Sequence, residues 1–328
     1  MYPNAIFVGF ALVSTTVAQT PYGLTWNFNS SNFFDNFNFV EAPDSAFTNG
    51  FAKYVSQDKA ESNGLATIAD SKVRLGVDTT NNYAASSTGR ESVRLQSRES
   101  FDNGLLVADF AHIPVSGCGM WPAFWIYQGE TSSSYSEIDI IENVNGESRN
   151  SHSFYTSEKC TVNRVIPDVS ERTEDCTYDR EPGQGCSYMA HEGTFNQGFN
   201  DNYSIVATQI ESDGIKIWYF NEDEVPEDLR WDNPAPQDWS VEPSLHITPD
   251  DCDFDRAWRL FHIVINITFC GGWAGDIGGV WNNPGTLGEK SCAAQTGQVS
   301  CKAWVGENPG DFEDTYFEFN SIKLFQRS

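Results

Sequence analysis

Glu137, Asp139 and Glu142 stand in the segment Ser136-Glu-Ile-Asp-Ile-Ile-Glu142, whose other members are suited to a buried strand. Side chains alternate faces along a strand, so Glu137 and Asp139 share one face while Ile138 and Ile140 share the other. Strict alternation would next bring Ile141, not Glu142, to the acidic face. Gathering all three carboxylates takes one extra residue, a β-bulge near Ile140-Ile141, a device often found beside active sites. Two carboxylates held this way are suited to cleaving a glycosidic bond, one attacking the anomeric carbon or activating water, the other protonating the leaving oxygen. Residues five apart on one bulged strand fall close together, which suits the roughly 5–5.5 Å separation of a retaining mechanism better than the wider inverting gap. On this reading Glu137 is the nucleophile and Glu142 the general acid/base. Asp139, between them, hydrogen-bonds the nucleophile and repels charge, so that one carboxyl stays protonated while another is ionised.

Upstream lies Met120-Trp121-Pro-Ala-Phe-Trp125-Ile-Tyr127, in which alternation puts Trp121 and Trp125 on one face with Ala123 between them. Aromatic faces at this period also build cores, but beside a row of acids they make a floor on which the apolar faces of sugar rings can stack. Rival chemistries have no comparable support. The histidines, His112, His152, His191, His246 and His262, are scattered, with no Gly-x-Ser-x-Gly or His-Glu-x-x-His among them. His262 opens an apolar run and is expected to be structural; His152 follows Glu142 closely enough to approach the cleft, but a structural place is expected for it too. The acids of Asp250-Asp-Cys-Asp253 read as a solvated loop rather than a calcium site, which needs six to eight oxygens. No cofactor and no metal are expected.

The elements that must position these residues are strands. Ser71–Val77, Ser92–Ser97, Gly104–Phe110, Gly214–Phe220, Phe261–Phe269 and Tyr316–Phe325 are β-rich runs separated by turn residues, and no long amphipathic helix competes with them. The pattern is that of an all-β jelly-roll sandwich of two antiparallel sheets, its last strand returning to the sheet of the first. Ser157–Asn202 differs, being polar with three cysteines and few strand signals; it is expected to form disulfide-stapled excursions that wall the cleft. Eight cysteines, without a Cys-x-x-Cys pair, suit disulfides in an oxidising compartment, their pairing left open. Three sequons, Asn29-Ser-Ser, Asn202-Tyr-Ser and Asn266-Ile-Thr, accord with a secreted glycoprotein, though Asn266 lies in a strand-like run. Met1–Ala18 is uncharged, apolar from Ala5 to Leu12 and ends in small residues, the pattern of a secretory signal, leaving 19–328 as a single domain. A short membrane anchor is the competing reading of that stretch, which is brief for a span. A net charge of −26 would repel nucleic acid and anionic membranes and leaves neutral or basic partners, among which a neutral polysaccharide fits; a monomeric, extracellular or wall-associated protein is expected.

Taken together, Ser136–Asn145, Gly117-Cys-Gly-Met-Trp-Pro-Ala-Phe-Trp125, Asn32-Phe-Phe-Asp35, Gly76-Val-Asp78, Gly89-Arg-Glu-Ser-Val-Arg94, Ser212–Trp218 and Ile267–Gly275 resemble the laminarinase group of glycoside hydrolase family 16, in the family's order, from about Tyr22 to Phe325. The resemblance implies a jelly roll with an open concave substrate cleft and secreted, retaining endo-hydrolysis of β-1,3 or mixed β-1,3/1,4 glucan. It implies Glu137 as nucleophile, Asp139 as assisting acid and Glu142 as acid/base, with Trp125 as a sugar-stacking indole and Trp273 as an aromatic of the far cleft wall. The chain also departs from the family. Glu130-Thr-Ser-Ser-Ser-Tyr-Ser136 replaces a Trp-Pro segment around Ser132, Tyr155 stands where relatives carry a histidine, and Asn200–Val206 replaces a glycine-rich stretch. The acids are intact; substrate preference is what these changes touch. A glucan-binding protein without catalysis and a transglycosylase are the other functions this scaffold permits.

Overall fold

Alternation along the β-rich runs resolves into two layers. The computed structural model describes residues 20–115, 117–128, 134–165, 170–171, 173–178, 185–284 and 290–327; the expected signal at Met1–Ala18 and the altered position Ser132 lie outside the described residues. One layer is a nine-stranded sheet in which Thr161–Arg164, Leu245–Asp251, Gly214–Phe220, Ile205–Glu211, Gly104–His112, Tyr316–Arg327, Lys72–Gly76 and Ala66–Ala69 follow one another. Its ninth strand, Tyr22–Asn29, pairs antiparallel with Tyr316–Arg327, Tyr22 opposite Arg327, so the last strand does return to the first. The other layer has eight strands in the order Ser170–Glu171, Cys186–Glu192, Arg149–Thr156, Ser136–Glu142, Met120–Gln128, Phe261–Phe269, Arg94–Ser97 and Phe37–Phe39. The acid-bearing strand thus sits in the middle of its sheet, braced on both sides. Among the described residues the longest helix, Cys301–Glu307, has seven residues, and no helix is long and apolar enough to cross a membrane.

The core lies between the layers. Phe110 and Phe319 of the nine-stranded sheet meet Phe124 of the acid-bearing sheet at ring-centroid distances of 5.5 and 6.0 Å. Ile126, Ile138, Ile140, Ile141, Ile263 and Ile265 are buried in the same cluster. A fully buried Phe or Ile stabilises a fold by about 1.5–3 kcal/mol relative to leaving it exposed, so the face of Ser136–Glu142 opposite the acids anchors the strand. That anchoring is what lets its other face hold carboxylates in a costly arrangement.

Four disulfides use all eight cysteines: Cys118–Cys292, Cys160–Cys252, Cys176–Cys186 and Cys270–Cys301. Cys118 precedes the strand Met120–Gln128 and Cys270 follows Phe261–Phe269, so two of the four tie the ends of neighbouring cleft strands to the helical excursion running from Gly271 to Glu307. Two strand expectations are corrected. Ser92–Ser97 is not one strand: Arg90–Ser92 pairs in parallel with Ala52–Tyr54 in a small third sheet, while Arg94–Ser97 pairs with Phe261–Phe269. The break falls at Val93; before it Arg90 is wholly buried, its guanidinium donating to the carbonyls of Asp78 and Val305. Ser157–Asn202 carries more strand than its polarity suggested. Cys186–Glu192 is a full cleft-sheet strand whose Cys186, Tyr188 and Ala190 are buried while Ser187, Met189 and His191 between them are more exposed.

Candidate active site

The bulge expected from spacing is present. Between Ser136–Glu142 and Met120–Gln128 the register runs Tyr127 to Glu137, Ile126 to Ile138 and Trp125 to Asp139, then skips Ile140 to resume with Phe124 opposite Ile141 and Ala123 opposite Glu142. Ala123, Trp125 and Tyr127 alternate on one face of their strand, so their partners Glu142, Asp139 and Glu137 lie on that face too. Without the extra residue Glu142 would enter the core. Ala123 also leaves room: a larger side chain opposite Glu142 would occupy the space of its carboxyl group.

Each outer carboxylate has its own aromatic donor. The Trp121 indole N–H donates to Glu142 Oε1 at 2.8 Å, and the Tyr135 hydroxyl donates to Glu137 Oε2. Asp139 is buried, whereas Glu137 and Glu142 keep some surface on the cleft. Burial pushes all three carboxyls up. For Glu137 it is offset by the Tyr135 hydrogen bond and the Arg94 guanidinium, leaving the group at about 7. For Glu142 the Trp121 hydrogen bond offsets less and the charge of Glu137 adds to the rise, leaving it at about 8. Asp139, desolvated and flanked by Glu142 and Glu137, is held well above the usual carboxylate range. Because the acids interact, protons leave the row in macroscopic steps belonging to the set. The asymmetry still has a definite sense: the cation and the phenol favour charge at Glu137, so Glu142 is the better proton donor.

Trp125 forms the floor beside Asp139. Its indole N–H donates to Asn266 Oδ1 at 2.8 Å; its ring lies 5.0 Å from that of Tyr127, and the Arg94 guanidinium packs over it at 5.1 Å. Phe47, half exposed, covers the other side of Arg94 at 4.5 Å. Asn266 is a sequon residue, yet it is 5% exposed, and Thr268 of the same sequon donates to the buried carboxylate of Asp44 at 2.7 Å. The sequon therefore serves as the tether of the tryptophan, and the folded protein has no room for a glycan there. Replacing Asn266 with alanine removes its bond to the indole, worth about 1 kcal/mol net, together with the longer 3.5 Å bond from Asn266 Nδ2 to the Tyr54 hydroxyl, and frees Trp125 to tilt. The expected result is a rise in KM for a stacking substrate of roughly 5-fold with kcat little changed, read by steady-state kinetics.

Trp273, on the short helix Gly271–Ala274, meets Trp121 edge to face at 5.5 Å. The turn into this helix needs glycine at 271, where φ is +69° and a Cβ would lie 2.8 Å from the Thr48 carbonyl. Trp121 and Trp125 thus border the acids and Trp273 adjoins them through Trp121, with a recess of about 560 Å³ beside Trp273 lined in part by Asn143, Asn145 and Gln295. Tyr155 pairs with Glu137 from the other neighbouring strand. Its ring lies over Gly185, where any Cβ would come within 2.2 Å of it. Tyr178, from the segment closed by Cys176–Cys186, packs tilted against Tyr135 at 5.3 Å and edge to face against Tyr155 at 5.8 Å. The excursion does wall the cleft, and a cluster of tyrosines surrounds Glu137.

Tyr127, Tyr135, Tyr178, Arg94 and Phe47 were not singled out from the sequence. Tyr127 is the next step in the alternation of Trp121 and Trp125 and was within reach; the others join the site only through tertiary contacts. His152 is not in the cleft but beneath it, fully buried, its Nδ1 3.3 Å from the Asp139 carbonyl and its Nε2 2.9 Å from the Tyr219 hydroxyl. Burial lowers it to about 4. His262 Nδ1 lies 2.9 Å from the Ser97 carbonyl. Of the acidic loop, Asp251 pairs with Lys159 at 2.5 Å and Asp253 caps the helix Phe254–Ala257.

Fold and site together define a class: a two-sheet β-jelly-roll sandwich whose central bulged strand presents three acids over a floor of indoles. The chain belongs to glycoside hydrolase family 16, residues 37–325 matching the XgeA-like catalytic domain of that family. It is 34% identical over 314 residues to the endo-1,3(4)-β-glucanase xgeA of Emericella nidulans, covering 94% of this chain and 48% of that protein. The chain spans about half the length of curated relatives it matches. Among solved structures, an elongating family 16 β-1,3-glucosyltransferase superposes with a TM-score of 0.81 at 33% identity, covering 93% of this chain and 100% of that one. Laminarinase 16A from Phanerochaete chrysosporium, solved with 6-O-glucosyl-laminaritriose in both donor and acceptor sites, superposes with a TM-score of 0.79 at 27% identity and the same coverage.

Proposed function

We propose that the chain is the catalytic domain of a secreted, retaining endo-β-glucanase acting on β-1,3 or mixed β-1,3/1,4 glucan. The observation that carries this reading is the bulge at Ile140, which brings Glu142 onto the face of Glu137 and Asp139 beside Trp121 and Trp125. Glu137 attacks the anomeric carbon while Glu142 gives its proton to the departing glycosidic oxygen, forming a covalent glycosyl-enzyme. Glu142, now ionised, takes a proton from water, whose oxygen attacks the same carbon; the bond to Glu137 breaks and the anomer of the substrate is restored. Asp139, largely neutral, withholds a third negative charge from its neighbours. The β-glucan substrate is supported by what the relatives are named for and by the indole floor; the chain's disulfides and exposed sequon residue Asn202 suit an extracellular or wall location.

Transfer to a second sugar is the reading kept beside hydrolysis, because the 33% identical structural neighbour is a glucosyltransferase. Incubation with laminarin, lichenan and carboxymethyl cellulose, with products separated by size, tests both. The expected result is release of mixed short oligosaccharides from laminarin or lichenan and none from carboxymethyl cellulose. Products longer than a laminari-oligosaccharide supplied as substrate would move the assignment to transfer. Laminarin binding with no change in chain length would favour a glucan-binding protein and end the catalytic reading.

A further inference from the structure

The bulge brings Glu142 to the cleft with pairing to Met120–Gln128 resumed, but on the other side the ladder that should hold the strand stops short of it. Backbone pairing between Ser136–Glu142 and Arg149–Thr156 covers Ser136, Glu137 and Ile138 and goes no further. Past that point the displaced Ile140 carbonyl and Glu142 N–H are met by one side chain. Asn150 Oδ1 accepts from the Glu142 N–H at 2.8 Å, and Asn150 Nδ2 donates to the Ile140 carbonyl at 2.8 Å. Asn150 is completely buried, so the carboxamide makes these bonds without competition from water. Its own backbone is fixed: its N–H donates to Thr194 Oγ1 at 2.9 Å, and the Thr194 hydroxyl donates to the His191 carbonyl at 2.6 Å.

We infer that Asn150 is the positioning residue for Glu142, a side-chain staple replacing the lost ladder and holding the acid/base at its working distance from Glu137. The inference rests on the glycosidase reading above. A carboxamide suits the task because it accepts from one backbone group and donates to another two residues away. Leucine, of similar size, can do neither, and serine, although its hydroxyl can donate and accept, is too short for its single oxygen to replace the two terminal atoms of the carboxamide. Glu137 lies on the intact side of the bulge, within the ladder, and needs no such help. Asn143 and Asn145 lace the chain beyond the bulge through bonds to the Arg149 carbonyl and the Gly119 N–H, so loss of Asn150 loosens Glu142 rather than the whole strand end.

The split between the two carboxylates supplies the test. Asn150→Leu, and Asn150→Ser should the first fail to fold, are assayed on laminarin and on 2,4-dinitrophenyl β-laminaribioside, whose leaving group departs without a proton. The expected result is a fall in kcat/KM on laminarin of about 100-fold, against less than about 3-fold on the activated glycoside. Sodium azide should raise kcat on the activated glycoside and yield the β-glycosyl azide, the signature of an impaired acid/base. Equal losses on both substrates without azide rescue, or unchanged laminarin kinetics, would overturn the inference. Wild-type protein inert toward both substrates would instead overturn the glycosidase reading beneath it.

Discussion

Glu137→Gln is expected to cut laminarin turnover by at least about 10⁴-fold while leaving the protein folded and able to bind glucan. The amide keeps the shape of the carboxylate and its contact with Tyr135, but it has no charge with which to attack the anomeric carbon. An activated leaving group cannot compensate, because the nucleophile acts in the step that expels it; the loss should persist on the dinitrophenyl glycoside. Glu137→Ala opens space for a small anion from the same side. With azide, that variant is expected to form the α-glycosyl azide, since external attack is a single displacement with inversion. Undiminished release of reducing ends by Glu137→Gln would remove Glu137 from the mechanism.

Glu142→Gln is expected to lower kcat/KM on laminarin by about 10²–10⁴-fold, the usual worth of general acid–base assistance, and to alter two pH dependences. In the wild type the nucleophile must be ionised and the acid protonated, so kcat/KM should follow a narrow bell between limbs near 7 and 8, the levels to which Glu137 and Glu142 are pushed. These are macroscopic values of the acid row. On the dinitrophenyl glycoside the variant should lose the alkaline limb and keep the acidic one. Stability moves as well. The folded-state pKa of Glu142 is raised, so the native protein binds more protons than the unfolded chain between about 4.5 and 8. The stability tied to its protonated form is therefore complete below that window and lost as pH rises through it. Glutamine cannot ionise, and the variant should be more resistant to urea above pH 8, by an amount on the order of a few kcal/mol. The advantage should vanish below pH 4.5, and an unfolding midpoint independent of pH in the wild type would contradict the burial argument.

The acid row was legible because it broke a rule. Three carboxylates in an apolar strand could share a face only if alternation failed once, and the failure falls at Ile140. Gly214–Phe220 and Phe261–Phe269 were equally readable, being bounded by turn residues and continuous in β-branched or aromatic side chains. Ser92–Ser97 was not, since its two ends pair with different distant strands, Ala52–Tyr54 and Phe261–Phe269, which local pattern does not report. Cys186–Glu192 was missed for the opposite reason: its alternation is real, but Ser187, Met189 and His191 on the outer face hide it. The acid row and the indoles of Trp121 and Trp125 could be named from local spacing, whereas Trp273 came only with the family resemblance. Tyr135, Arg94 and Asn150 could not, because their roles exist only once separate strands lie side by side. Sequence patterns report which face a residue takes; they do not report which neighbour meets it.

Tyr155 shows how the altered positions bear on function. A departure from the family pattern on the sequence reading, it sits beside Glu137 within a tyrosine cluster closed by Tyr178 and Tyr135. The cluster places hydroxyl groups and ring faces on the Glu137 side of the acid row.

The central claim is that Glu137 becomes covalently bonded to the substrate, and trapping that bond tests it most directly. Protein treated with 2-deoxy-2-fluoro-β-laminaribiosyl fluoride, whose fluorine slows breakdown of the intermediate, is digested with protease and its peptides are analysed by mass spectrometry. A single fluoro-laminaribiosyl adduct on Glu137, absent from Glu137→Gln, is the expected result. An adduct on Asp139 or Glu142, or turnover of the reagent with no adduct at any residue, would contradict the account.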